Sequence, residues 1–477
     1  MKAVHVFLVS TLPLVIATRA WASDQSAVGN DPASVWTSAP AAALGYVQAA
    51  LAGNLSLQAR SLDVEAARAR LAAARAALQP RIDLVARYTR ADGGRVIEFP
   101  TGDLLNGVYA TLNESLRAQG RPASFPQLSN TSIPLLRPEE QETKLRLTQP
   151  LYRPEISRGV RARREAAVSE QASLDAFRRE LRLTVLTAYY AWLQADAAVG
   201  ILDSALGVTS EALRVTRALR ENDQATEDRV LRAESDDLAV RQQRAEAVRD
   251  RNSAEAFFNV LLHRPLDTPI VRTTEDELRA VARPLLDAPL PVPGPPSRRE
   301  ELRALDAAIA AAAAAESATS ARSGPTLDLA VEGGLQGETY RVRSGSSFVQ
   351  GSLVAQLNLW DGHERRSETQ QARLARRRLE LQREDTHQQL ALQIRQATDD
   401  VAAASLGLQA AERRRLAAIR AFELVAQRER EGLVNQLTFL DARAELTRAE
   451  LNRIITGQRL FTAAAALDRA TALSPLP

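Results

Sequence analysis

The 477-residue chain contains no cysteine. That excludes disulfides, thiolate zinc sites, iron–sulfur clusters, cysteine nucleophiles and a lipid anchor on an N-terminal cysteine. Histidine is scarce, with His5, His263, His363 and His387 scattered along the chain, so a histidine-built metal site is not expected. Aromatic residues are only 4% of the chain, little for a thick globular core. Lysine occurs twice, at Lys2 and Lys144, so nearly all basic charge is arginine. Lys+Arg 61 against Asp+Glu 58 leaves a formal charge of +3, dispersed rather than clustered, and nucleic acid is not an expected partner. No phosphate-binding glycine loop followed by lysine, nucleophile elbow or metal-ligand spacing is present, so neither an enzyme nor a cofactor is expected. Asp236-Asp237 and Asp399-Asp400 lie on charged helical stretches and read as solvated surface.

An export signal is present. Met1-Lys2 supplies a short positive region, Val4 to Ala17 an apolar run, and Ala20-Trp21-Ala22 a small-x-small cleavage site before Ser23, giving a signal peptide over 1–22. After it, no apolar run reaches the about 18 residues of a spanning helix. An exported chain of this kind either floats free or crosses a membrane as a β-barrel.

Proline is missing between Pro154 and Pro265 and between Pro325 and Pro475, which permits two very long helical regions, about 157–262 and 363–472. Between them Pro284 to Pro296 reads as an extended linker over 284–297. The halves on either side, 23–283 and 298–477, resemble each other. Gln79-Pro80-Arg81-Ile82-Asp83-Leu84 matches Gly324-Pro325-Thr326-Leu327-Asp328-Leu329. The Leu145–Tyr152 segment matches Leu353–Trp360, offset by 208, and Ala225–Ala233 matches Val434–Ala442, offset by 209. Three ordered matches argue for internal duplication, with extra residues in the first half between Leu84 and Leu145.

Each half carries two candidate strands, at about 80–90 and 142–152, then about 325–335 and 349–361. Ile82, Leu84, Ala86 and Tyr88 alternate with Arg81, Asp83, Val85 and Arg87; Leu353, Ala355, Leu357 and Leu359 alternate with Val354, Gln356 and Asn358. Period-two alternation gives one apolar and one polar face, and about 10 residues suffice for a tilted membrane-crossing strand. The helices carry heptad seams, Leu390-Ile394-Ala397-Val401-Ala404-Leu408-Ala411 in the second half and Leu174 through Leu181, Ala188, Ala195 and Leu202 in the first. Four strands cannot close a barrel, whose smallest examples have about eight, and an open edge in lipid leaves backbone groups unsatisfied. A homotrimer giving about 12 strands is the simplest closure, with the helices continuing as a periplasmic cylinder.

This arrangement resembles the TolC family of outer-membrane channels over nearly the whole mature chain. The segment Glu431-Gly432-Leu433-Val434-Asn435-Gln436-Leu437-Thr438-Phe439-Leu440-Asp441-Ala442-Arg443 looks like the family's turn before leucine-aspartate-alanine. Ala225-Thr226 through Arg229 to Glu234 is its first-half counterpart; Gln149-Pro150-Leu151-Tyr152 and Ala466-Leu467-Asp468-Arg469-Ala470 also fit. The resemblance implies an α+β membrane protein: a trimeric 12-stranded barrel, a long helical tunnel and an entrance at the helix tips formed around Thr226, Arg229, Gly432, Asn435, Thr438 and Asp441. It implies outer-membrane lipid, a periplasmic adaptor and an inner-membrane ABC transporter as partners. The whole string resembles in particular the outer-membrane component of type I secretion of a cyclolysin-like RTX toxin, whose cargo is an exported protein. Of the family's paired entrance aspartates only Asp441 is kept; Thr438 stands at the other position, and Val434 where a basic residue ties the entrance shut.

Tyr88, Tyr152 and Trp360 fall near strand ends and fit aromatic girdles at the lipid–water boundary, or equally helix–strand packing. Asp92 to Glu140, rich in Gly, Pro, Asn and Ser, reads as a mobile loop outside the cell, with Gly337 to Ser347 as its shorter counterpart; a plug or partner contact is the alternative. Three functions stay open: a duct for protein export, a duct for small toxic molecules in a multidrug pump, and a periplasmic adaptor or structural coiled coil.

Overall fold

The computed structural model describes residues 38–289, 295–339, 341 and 345–476. The expected signal peptide and the centre of the proline-rich linker lie outside them. The elements run α1 (Ala41–Gly53), α2 (Leu55–Ala76), β1 (Arg81–Arg90), β2 (Val96–Phe99), α3 (Thr101–Ala118), β3 (Thr131–Pro134) and β4 (Glu139–Tyr152). They continue with α4 (Pro154–Glu221), α5 (Glu227–Leu261), α6 (Glu275–Asp287), α7 (Glu300–Ala321), β5 (Thr326–Gly337), β6 (Ser347–Gln356), α8 (Glu364–Arg430) and α9 (Gln436–Thr471). Antiparallel strands pair in the order β1-β4-β5-β6, so both β1 and β6 are open edges; β2 and β3 form a separate hairpin.

At about 1.5 Å per residue the 68 residues of α4 extend about 102 Å. α4 is the hub, packing on α1, α2, α5, α7 and α9, while α8 packs on α7 and α9. The seam residues Leu390, Ile394, Ala397, Val401, Leu408 and Ala411 are all buried, as period-3.5 packing requires. By length and composition α4 alone among the described helices could cross a membrane, but half of its most apolar window is buried inside the protein. Those residues pack in the main core, where Tyr189 meets Tyr46, Phe258 and Trp192, and Tyr190 stacks on Phe461 at 5.2 Å.

Several boundaries differ from the sequence expectation. Pro284 lies within α6, not in an extended linker, because it falls in the last turn of an amphipathic helix that buries Ala282 and Leu285. The fourth strand stops at Gln356 rather than near residue 361, since β5 begins at Thr326 opposite Gln356 and offers nothing further to pair. Residues beyond it turn into α8 instead: Trp360 N–H donates to the Asn358 side chain at 3.0 Å, and Arg365 donates to the Asn358 carbonyl at 3.2 Å. The 92–140 segment is not a plain loop; it holds β2, α3 and β3.

Asp237 is not solvated surface. It is 2% exposed and accepts from Ser210 Oγ and Arg241 Nε, each at 2.6 Å, and from Thr209 Oγ1 at 3.3 Å. Burial alone would raise its pKa, but these hydrogen bonds from Ser210, Arg241 and Thr209 hold it below the usual carboxylate range. It thereby ties α5 to α4 at one register.

The chain exposes 31094 Å². A compact monomer of 52.0 kDa exposes about 17,500 Å².

Candidate functional site

The sheet sorts its side chains by face. Directly paired residues share a face, so the register joins Ile82 with Leu147, Leu84 with Leu145 and Gly333, and Leu329 with Leu353. This face is apolar and outward: Ile82, Leu84, Leu145 and Leu353 are all exposed. A register shift between Pro150 and Tyr152 sets Tyr152 opposite Leu327, on the apolar face, while Tyr88 sits on that face near the other end, opposite Gln141. Gln141 to Tyr152 spans roughly 36 Å at about 3.3 Å per residue. Tilted by about 40°, that crosses about 28 Å, close to the apolar band of an outer-membrane barrel. Trp360 lies beyond β6 and is exposed.

The opposite face is an ion-pair network. Lys144 Nζ lies 2.8 Å from both Glu142 and Glu332, Arg87 bonds Glu142 at 2.9 Å, and Arg146 bonds Glu332. Lys144 crosses above Gly334, where an added Cβ would come within 2.2 Å of the Thr143 carbonyl oxygen, so only glycine lets β5 approach β4 here. Below the sheet Arg153 holds Asp328 with two bonds of 2.9 and 2.7 Å. The sequence showed these polar residues but not their pairing; the one internal lysine of the chain was the signal.

At the far end each helix pair closes in a short turn. In the second, Gly432 has φ +74°, the left-handed conformation that suits glycine, and Leu433 N–H returns to the Arg428 carbonyl at 2.8 Å. Asn435 caps α9, its Oδ1 accepting from Thr438 N–H and Thr438 Oγ1, each at 2.9 Å. The first turn has Asp223 at φ +57° in place of glycine, and its cap residue Thr226 makes no side-chain bond to α5. Asn435→Ala is therefore expected to cost about 1 kcal/mol in the first turn of α9, and Thr226→Ala to cost nothing comparable in α5. Amide hydrogen exchange at Thr438 and Phe439 against the start of α5 checks this.

Asp441 is exposed on α9. The pKa of Asp236 on α5 is raised, mainly by burial, with Arg232 opposing and the Asp441 charge adding to it. Asp236, expected as solvated surface, is thus half-buried and within reach of the Asp441 charge. Gln436 donates to Thr216 Oγ1, tying the second turn to α4. Arg443, which the sequence reading did not single out, is buried with its guanidinium 5.6 Å from the Phe422 ring centre; Phe422 in turn packs on Phe439. Burial pushes the Arg443 pKa down. Arg229 sits in the first turn of α5. Among the described residues no set of His, Asp and Glu side chains could hold a metal ion.

A sheet with one lipid-type face and two open edges, rooted on helices about 100 Å long, defines the outer-membrane channel fold. Residues 297–473 match the outer membrane efflux protein family. No curated protein matches the sequence. Among solved structures the chain is similar to the outer-membrane channel OprN, with TM-score 0.71 and 17% identity over 93% of this chain and 92% of that one. It is similar to the Campylobacter jejuni CmeC outer membrane channel, with TM-score 0.73 and 14% identity over 91% and 86%. It is also similar to the open state of the Neisseria gonorrhoeae MtrE outer membrane channel, with TM-score 0.70 and 20% identity over 90% and 88%. The location implied by the sequence, the outer membrane with extension into the periplasm, is the one that family and these channels share.

Proposed function

We propose that this chain forms a passive trimeric duct of a tripartite export system, running from the periplasm through the outer membrane. The observation that carries the reading is the sheet: one apolar face of membrane height, one ion-paired face, and unpaired edges at β1 and β6. Three copies joined edge to edge close a 12-stranded barrel with the apolar face toward lipid and the ion-paired face toward water, which satisfies every strand. The near-equal spacing of matched segments in the two halves supports an internal duplication that would let six helix pairs ring one axis. Asp441, Asn435, Thr438 and Gly432, with Thr226 and Arg229, belong to the periplasmic entrance in this reading, and Tyr88, Tyr152 and Trp360 to the aromatic girdles. No part of the chain supplies energy, so a periplasmic adaptor and an inner-membrane transporter of the ABC class complete the machine.

The cargo we infer is a protein, exported by type I secretion as for RTX toxins, on the resemblance of the whole string to such channels. The efflux description of the family matched by residues 297–473 favours a second reading, small toxic molecules. Deleting the gene separates them. Loss of one large protein from the medium, restored on complementation and measured by quantitative mass spectrometry, is the expected result. An unchanged secretome with raised drug sensitivity instead assigns the duct to efflux. Recovery of the chain in a soluble periplasmic fraction overturns both and returns the adaptor reading.

A further inference from the structure

The small net charge of +3 conceals a sorting along the helices. Four helices meet the four-stranded sheet: α2 ends just before β1, α4 starts just after β4, α7 ends just before β5 and α8 starts just after β6. Their three turns next to the strands are residues 66–76, 154–164, 311–321 and 364–374, a layer about 16 Å deep. That layer holds ten arginines and four glutamates. The next three turns, 55–65, 165–175, 300–310 and 375–385, hold six arginines and eleven acids. Positive charge is therefore gathered next to the sheet, and the sign reverses one layer further away.

Part of this arginine is used inside the protein. Arg68 donates to Gln171 at 3.1 Å, Arg158 to the Ser317 carbonyl at 3.0 Å and Arg373 to Glu316 at 3.3 Å, and Arg365 bonds Asp361. Arg70, Arg75, Arg161, Arg163, Arg164 and Arg366 are exposed and have no partner among the described residues. Two of the four glutamates are already paired, Glu316 with Arg373 and Glu368 with Arg322. The unspent charge of the layer is cationic.

Two features fix what it faces. The layer starts two residues past Tyr152, the last residue of the apolar face on β4, so it lies at the depth of the headgroups that border the hydrocarbon. Residues seven apart share a helix face in a coiled coil, and Arg161 stands four heptads from Tyr189 on α4. Tyr189 is covered by α1 through Tyr46, and by the Val271 carbonyl and Thr273, which its hydroxyl meets at 2.8 and 2.7 Å. In a duct this added layer lies outside the helical wall, so Arg161 faces outward, with Arg164 one turn on beside it. A guanidinium on its flexible stem reaches toward a membrane surface and grips a phosphate with two parallel donors.

We propose that these arginines form a collar that binds the phosphate groups of anionic phospholipids in the periplasmic leaflet of the outer membrane and sets the height at which the barrel sits. The inference rests on the barrel reading above. The acidic layer beneath is repelled by the same surface and marks the lower limit of the collar. To test this, the purified assembly is mixed in detergent with equimolar phosphatidylglycerol and phosphatidylcholine, repurified, and the retained lipids are counted by mass spectrometry. Expected is an excess of phosphatidylglycerol of about fivefold, falling toward equality after a high-salt wash. Arg70→Gln, Arg75→Gln, Arg161→Gln and Arg164→Gln together are expected to abolish the excess while the assembly keeps its size. Arg283→Gln, Arg413→Gln, Arg428→Gln and Arg430→Gln remove the same charge far from the strands and are expected to leave it intact. Equal retention of both lipids by an intact wild-type oligomer overturns the collar alone, as does an excess that survives in the collar variant. A collar variant that shifts the ion selectivity of the reconstituted channel with lipid retention unchanged assigns the arginines to the lumen, which also overturns it. A wild-type chain recovered as a soluble periplasmic monomer overturns the barrel reading and the collar with it.

Discussion

Glu300→Ala is expected to destabilise the helical body by about 3–5 kcal/mol, because it strands a buried charge. Arg179 on α4 is 5% exposed and Glu300 at the start of α7 is 2% exposed. Arg179 gives Glu300 three contacts of 2.9–3.1 Å through Nε and Nη2 and donates from its third nitrogen, Nη1, to the Ser474 carbonyl at 2.8 Å. Around this pair Arg299 donates to the Ala470 carbonyl at 3.0 Å, and Ser474 N–H and Oγ each reach Asp468 at 2.8 Å. The cluster pins the end of α9 to α4 and α7. Thermal unfolding of the purified assembly should show a large fall for Glu300→Ala. The double replacement Glu300→Leu with Arg179→Met should recover much of it, since removing both charges leaves none unpaired. A single mutant as stable as wild type would show that the pair is solvated.

The neighbouring Glu301 adds a pH dependence. Burial alone would raise its pKa, but hydrogen bonds from Arg299 and Arg469 outweigh that and lower it from 4.5 to about 2. A folded-state pKa below the unfolded one contributes stability that is present above the unfolded value of about 4.5 and lost as pH falls toward about 2. Glu301→Gln should flatten the stability profile in that window and leave its shape above it unchanged.

Leu353→Arg is expected to block assembly in the membrane. Leu353 sits mid-strand on β6, paired with Leu329 and 64% exposed. An arginine on the lipid face costs about 2–4 kcal/mol at mid-bilayer and less toward the interfaces; Leu353, level with Gln149 toward the Tyr152 end, lies off the middle, and the proposed trimer carries the change three times. Leu84→Arg, on β1 opposite Leu145 and nearer the middle of the band, should have the larger effect. Gln350→Arg on the other face should be tolerated, since Gln350 lies opposite Glu332. The readout is the amount of heat-modifiable assembled species in outer-membrane fractions. Equal amounts for all three variants would show that the apolar face does not meet lipid.

Much of the scaffold was legible because it follows periodicity. The period-3.5 seam from Leu390 to Ala411 named residues that are buried, Ala404 excepted as half-buried, and period-two alternation from Ile82 to Tyr88 separated the two faces of the sheet. What failed was decided at long range. Pro284 looked like a break, but one amphipathic turn packed against the body keeps it helical. The 92–140 segment had loop composition, yet its asparagines bond backbone groups up to 28 residues away, which no local pattern announces. Asp237 was read by its charged neighbours; its burial depends on Thr209 and Ser210 of another helix. The tip was half legible: the left-handed glycine and the Asn435 cap follow from local chemistry, whereas the influence of the Asp441 charge on Asp236 comes from a helix far away in sequence.

The excess of exposed surface over that of a compact protein of equal mass has a consequence for the life of the chain. In the duct proposed above, a polypeptide that leaves so much area uncovered recovers burial from its sister copies and from the bilayer. In the proposed trimeric duct its folding and its oligomerisation are one equilibrium, and dilution acts as a denaturant. On that reading, copies made below the assembly concentration are the ones left open to proteolysis, and the number of finished ducts should rise more steeply than the rate of synthesis.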